Sequence, residues 1–291
     1  MTELAVVTPS FGPDFELCAA LHRSVLAHSP ASVRHHIIVP RADLPRFGEL
    51  RGERTVLHDE AEFLPRSVRP LPGTKYSVNL RRPFPPLRGW ILQQVIKLAA
   101  TARIPADVVV LVDSDIEFVR QFSAATFRRD GVVRFYRQPA EIDQRLPRHV
   151  RWHEVARTLL GVPAAPPPYT DYVSSLLAWD PVVVRAMLQR IESVTGQRWV
   201  DAVGSQLHFS EWTLYGVFVD EVLGGPAAQA FTATDSRCHA YWDETPLDEA
   251  SIIRFLGRLR PDDVAVMVSA KSRTPFPVRR AALAALAESG Q

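Results

Sequence analysis

The chain has 291 residues, 46% of them hydrophobic, and a formal net charge of +2 with acidic and basic residues interspersed. That is enough apolar material for one large α/β domain or two small ones, and it leaves no large electrostatic footprint for a nucleic-acid partner or an anionic membrane. The longest apolar runs are far too short to span a bilayer, and two cysteines without CxxC spacing, Cys18 and Cys238, exclude a disulfide framework and a cysteine-rich zinc site.

Residues 4–8, LAVVT, are a short apolar run that predicts a strand, followed by the turn-rich PSFGPD. A helix is expected from about Asp14 to His28, where Phe15, Cys18, Leu21, Val25 and Leu26 recur at three-to-four spacing behind Pro13 and Asp14 as start signals. HHIIVP reads as a second strand, and strands alternating with helices imply a parallel sheet with helices packed on it. From Leu64 to Arg88 the proline density forbids a long helix and the polarity forbids a core strand, so a long loop is expected, a lid or a disordered segment. GWILQQVIKLAATA then resumes a helical pattern. DVVVLV is the continuous apolar run of a central parallel strand buried on both faces, and it ends in DSDIEF.

Further on, Val132 to Tyr136 predicts another strand, Trp152 to Leu160 a helix, VPAAPPPYT a rigid connector, and residues 181–194 a helix with Pro181 in its first turn. HFSEWTLYGVFVDEVL has helical spacing through Trp212, Tyr215, Val219 and Val222. No repeat or linker interrupts the pattern, so residues 1–291 read as a single domain with a more irregular C-terminal half. The opening MTELAVVTPS lacks the basic region, apolar stretch and cleavage site of a signal peptide, which gives the expectation of a cytoplasmic protein with no membrane span.

The chemistry centres on Asp113-Ser114-Asp115. Two carboxylates at i and i+2 on a strand point to one face, and at the C-terminal end of a buried parallel strand they overhang the crevice where open α/β sheets bind ligands. Two such acids ask for a cation, and hard oxygen ligands suit Mn²⁺ or Mg²⁺. That ion would bridge the diphosphate of a sugar nucleotide. Other readings are two acids capping the next turn, a haloacid-dehalogenase-like phosphatase with Asp113 as nucleophile, and a non-catalytic sugar-nucleotide or glycan-binding module. The phosphatase motif sits near the N-terminus with Thr or Val where this chain has Glu117.

Lysine occurs only at Lys75, Lys97 and Lys271, and arginine carries the remaining positive charge, as in the coding bias of GC-rich bacteria. QQVIKL places Lys97 sixteen positions before Asp113. Lysine, helix remainder, turn, apolar strand and DxD in this order resemble the glycogenin-like glycosyltransferases, in which such a lysine approaches the donor and the DxD holds the metal. VVTPS before a long helix looks like the first strand and nucleotide-binding loop of GT-A enzymes. The set VVTPSFG, GWxxQQxxKL, DSD and SExxLYG resembles an uncharacterised bacterial family of GT-A-like glycosyltransferases over most of the chain.

The resemblance implies a GT-A-like, Rossmann-related α/β fold with a mixed, mainly parallel sheet flanked by helices. Residues 1–120 would form the nucleotide-binding half and 121–291 the acceptor-side half. It implies a nucleotide-sugar donor, a UDP-sugar being favoured, an unidentified acceptor, and Mn²⁺ or Mg²⁺ as cofactor. Thr8, Pro9, Ser10, Gln94, Lys97, Asp113 and Ser114 would bind the donor. Asp113 and Asp115 would hold the metal, with His239 of DSRCHAYWD as the third ligand. Gln93, Asp171, Ser174 and Trp212 would contact donor or acceptor sugar. Asp115 and Glu211 are the catalytic candidates: Glu211 takes the acceptor's proton if the reaction inverts the anomeric centre, and positions a sugar if it retains it.

Overall fold

Leu4–Pro9 (β1) is buried along its whole length because it is the middle of a five-stranded sheet. In the computed structural model, which describes residues 2–224 and 231–289, β1 pairs in parallel with Arg34–Val39 (β2) on one side and with Val108–Leu111 on the other. Thr55–Asp59 (β3) extends the sheet in parallel beyond β2, and Leu177–Trp179 closes the opposite edge antiparallel to Val108–Leu111. This is the expected mixed, mainly parallel sheet flanked by helices.

The period of two in the apolar runs of the central strands divides the packing on the two faces of the sheet into two large cores. Leu4, Val6, Val108 and Val110 share one core with Leu21 and Val25 of the helix Phe15–His28 (α1). Ala5, Val7, Val109 and Leu111 share the other with Val95, Leu98 and Ala99 of the Gly89–Arg103 helix, which is why VVVL carries no polar residue. The Pro181–Thr195 helix, capped by the Asp180 side chain on the Val182 N–H, packs into that second core. Cys18 and Cys238 are free and buried.

Two regions depart from the sequence expectation. Residues within 64–88 are not a structureless loop: Val68–Pro70, Tyr76–Asn79 and Arg82–Arg88 form a three-stranded antiparallel meander. The prolines Pro83, Pro85 and Pro86 are tolerated because their strand is an edge that pairs on one side only. The meander buries Val68, Ser77, Asn79 and Leu87, and the Asn79 amide donates to Asp201 at 2.6 Å. The C-terminal part is more regular than expected. Ile116–Phe118, Ala265–Val268 and Cys238–Tyr241 make a second sheet, covered by the Glu249–Leu256 and Phe276–Ser289 helices.

A hydrogen-bonded chain runs through the first core's edge. Thr8 Oγ1 lies 2.9 Å from His35 Nε2, the two Nδ1 atoms of His35 and His22 are 3.0 Å apart, and His22 Nε2 lies 3.1 Å from Thr55 Oγ1. Burial lowers the pKa of His22 and His36 to about 4 and that of His35 well below its ordinary range; His153 is likewise lowered to about 4 by burial.

The glycine of SExxLYG has a steric reason. A Cβ on Gly216 would stand 2.1 Å from the Cγ of Tyr172, whose hydroxyl donates to Asp220 at 2.6 Å. Gly216→Ala therefore should overpack this contact and cost about 3 kcal/mol in urea unfolding; an unchanged midpoint would contradict the contact. The buried histidines set a pH dependence. Their folded pKa values lie below the unfolded ones, so the unfolded chain takes up protons that the fold refuses between about pH 6.5 and 4. Stability is full above that window and falls as pH drops through it, by about 1.4 kcal/mol per pH unit for each such histidine. Melting temperatures across this range test the sign.

Candidate functional site

The Asp113-Ser114-Asp115 triplet stands in the turn between Val108–Leu111 and Ile116–Phe118, closed by the Ile116 N–H on the Asp113 carbonyl at 3.3 Å. It follows the strand instead of lying on it, so strand alternation does not aim its two carboxylates, and they find different partners. Asp113 Oδ1 is 2.9 Å from Lys97 Nζ, while Asp115 Oδ2 accepts the Ala270 N–H at 2.7 Å.

Lys97 is the centre of the site. Only 3% exposed, its ammonium sits between Asp113 and Glu211 Oε1, the latter at 3.2 Å, and 4.6 Å from the ring centroid of Trp212. Burial works against this charge, but Asp113 and Glu211 outweigh it and raise the lysine's pKa. Glu211 is itself 3% exposed; burial raises its pKa, with Lys97 opposing and Asp113 adding. It opens the Glu211–Val217 helix behind the Ser210 cap, and its N–H donates to Gln94 Oε1 at 2.9 Å. Gln94 and Lys97 lie three residues apart on one helix face, so a single turn of the Gly89–Arg103 helix meets Glu211 through both. Asp113, with a side chain 48% exposed, carries the triad to the surface.

Around the triad, the Ser114 hydroxyl donates to Ser10 Oγ at 2.9 Å, and the Ser10 N–H donates to the Ile38 carbonyl. The loop that carries Ser10 is fixed from below, since the Gly12 N–H donates to Asp43 Oδ2 at 2.7 Å and a Cβ on Gly12 would come within 2.8 Å of the same carboxylate. Gln93 reaches Asp113 Oδ1 at 3.5 Å, the outer limit of a hydrogen bond. Trp212 packs edge-to-face on Trp179. Lys97, Gln93, Asp113, Ser114, Ser10, Glu211 and Trp212 are thus brought together, with Gln94 behind them.

Other sequence candidates lie differently. Thr8 is fully buried and hydrogen-bonded to His35, and Pro9 is the last, buried residue of β1. Asp171 holds the Val173 N–H at 2.9 Å, and burial raises its pKa; Ser174 is buried in the same segment. His239 is not gathered with Asp113 and Asp115. Its Nε2 lies 2.9 Å from the Phe255 carbonyl oxygen and its ring stacks on Phe255. Among the described residues no three His, Cys, Asp or Glu side chains form a metal-binding group.

What sequence reasoning missed is the support behind Asp115. Burial first, then Asp113, raise its pKa to about 6, against the Ala270 N–H and Arg279, which lower it. Arg279 is buried at 4% exposure and donates to the carbonyls of Ser269 and Thr274, holding the loop that presents Ala270. No motif marks this arginine. Asp113 and Asp115 are the two carboxylates of this turn that could hold a hard divalent cation, which would relieve the repulsion by which Asp113 raises the Asp115 pKa.

Among solved structures, the chain is similar to an active-site mutant of LgtC, at 15% identity and a TM-score of 0.48 over 98% of this chain and 95% of that one. It is similar to the apo structure of the bifunctional glycosyltransferase WbbM at 13% identity and 0.48, over 91% of this chain and 45% of that one, and to mouse xyloside xylosyltransferase 1 at 10% identity and 0.48, over 94% and 99%. No curated protein matches it. A family described as "Family of unknown function (DUF6492)" matches residues 4–252, and the chain belongs to that family.

Proposed function

We propose that this protein is a metal-dependent glycosyltransferase of GT-A type, moving a sugar from a nucleotide-sugar donor, with a UDP-sugar favoured, to an acceptor. The observation that carries the reading is the buried Lys97 held by Asp113 and Glu211 at the carboxyl end of the central parallel strands, where open α/β sheets receive ligands. Lys97 and the hydroxyls of Ser10 and Ser114 offer a cation and donors to a diphosphate, and Gln93 offers an amide to a sugar hydroxyl. Asp113 and Asp115 would hold Mn²⁺ or Mg²⁺, which when bound neutralises charge growing on the leaving diphosphate. Trp212, packed on Lys97, would offer its aromatic ring to the sugar.

The environment of Glu211 favours a positioning role. Buried and tied to Lys97, it keeps the ammonium charged and in place instead of taking a proton from an acceptor in solvent. Asp171 and Ser174 stand as acceptor-side candidates.

Titration with UDP-, GDP- and dTDP-sugars, with and without Mn²⁺, tests the reading, together with slow donor hydrolysis. Metal-dependent nucleotide binding is expected, and Asp115→Ala should weaken it on the order of 100-fold, since even outer-shell partners of a metal contribute about 10- to 100-fold. If no nucleotide binds, or if binding ignores both metal and Asp115, the reading fails. For the triad, Lys97→Met leaves the buried Glu211 without a counter-charge and should cost about 3 to 5 kcal/mol in urea unfolding. Adding Glu211→Gln should recover part of that loss; full stability of the single variant would show that Lys97 does not neutralise Glu211.

A further inference from the structure

Averaged over the chain the charges nearly balance, but they do not balance locally, and we infer that the 68–88 meander docks the protein onto an anionic membrane surface. Its side chains combine two features that a soluble face normally keeps apart. Six basic residues, Arg66, Arg69, Lys75, Arg81, Arg82 and Arg88, lie on it or flank it, and no Asp or Glu occurs between Phe63 and Ala106. None of the six forms an ion pair among the described residues; Arg82 donates to the Gln197 side chain, and Arg81 lies near Asp201, which Asn79 and Arg198 already engage.

Between these cations stand bare apolar groups. Phe84 is 83% exposed, Leu80 64% and Tyr76 46%, with Leu71 also exposed, while Trp90 beside them is partly covered by Trp152 and Arg148. Cross-strand register puts cations and apolar groups on the same faces, with Arg69 opposite Val78 and Tyr76 opposite Arg88. Leu71 and Tyr76 stand at one end of this small sheet and Leu80 at the other, and so many exposed apolar side chains on one element point to a surface that is covered in use. A basic surface studded with Phe, Leu, Tyr and Trp is the composition of interfacial elements, whose apolar groups enter the headgroup boundary while Lys and Arg meet anionic lipid.

Charge complementarity selects this occupant. A second copy meeting the same face would set six cations against six, and a single-stranded nucleic acid could stack on Tyr76 and Phe84 but would leave the aliphatic Leu71 and Leu80 in water, whereas a lipid surface covers all four. No helix among the described residues is long and apolar enough to cross a membrane, so the contact would be peripheral. The meander runs directly into the Gly89–Arg103 helix, so docking would bring Gln93 and Lys97 close to the bilayer surface.

Co-sedimentation with vesicles, without nucleotide, tests this independently of the donor-site reading. The chain should sediment with phosphatidylcholine vesicles containing phosphatidylglycerol, stay in solution with phosphatidylcholine alone, and be released by high salt. Arg69→Glu with Lys75→Glu, and Leu80→Ser with Phe84→Ser, should each lower binding about tenfold or more at unchanged melting temperature. Failure to bind the anionic vesicles, or variants that bind like the parent, would overturn the inference. So would self-association in solution that Phe84→Ser abolishes while vesicle binding is absent, since that would assign the face to a second copy.

Discussion

One buried positive charge organises this protein. An ammonium taken out of water is costly unless paired, and Lys97 meets that cost with two carboxylates from distant parts of the chain. Residue 97 sits on a helix, residue 113 in the turn after the central strand, and residue 211 at the start of another helix. Satisfying one charge therefore fixes the relative placement of three segments. Gln94 adds a neutral tie from the same helix turn, so Glu211 is held by both its side chain and its backbone. The opening at Asp113 is what turns a structural ion cluster into a site, because that carboxylate alone of the three is half exposed.

Much of this was legible in the sequence, for reasons that differ from element to element. The run at 108–112 announced a strand buried on both faces because β-branched residues filled both parities, and the structure uses both for two separate cores. Helices at 15–28, 89–103 and 181–195 followed their apolar period; only the last also has a side-chain cap, from Asp180, while Asp14 makes no capping hydrogen bond. The meander was illegible because its prolines argue against a strand unless one knows that the strand is an edge. The short strands at 238–241 and 265–268 carry too few residues to show a period, and their existence depends on Ile116–Phe118, more than a hundred positions away. In the site, spacing suggested Lys97 beside the DxD, yet nothing in HAYWD revealed that His239 would turn to a backbone carbonyl.

The support of Asp115 shows a different limit. The family match stops at residue 252, whereas the amide that holds this carboxylate belongs to Ala270 and the arginine that fixes its loop is Arg279. The last helix thus does more than cover the second sheet. It anchors one end of the carboxylate pair from outside the matched region, by backbone and buried-charge contacts that leave no motif behind.

The Thr8–His35–His22–Thr55 chain adds directionality to the frame beneath this site. A neutral imidazole has one donor and one acceptor nitrogen, and both rings are engaged at both nitrogens. Each of the three contacts then holds a single proton, so choosing the tautomer of one ring dictates the tautomer of the other and the rotor of each hydroxyl. The four side chains have only two consistent arrangements, pointing from β1 to β3 or the reverse, and a partner gained by the Thr55 hydroxyl at one end selects whether Thr8 gives or receives a proton at the other.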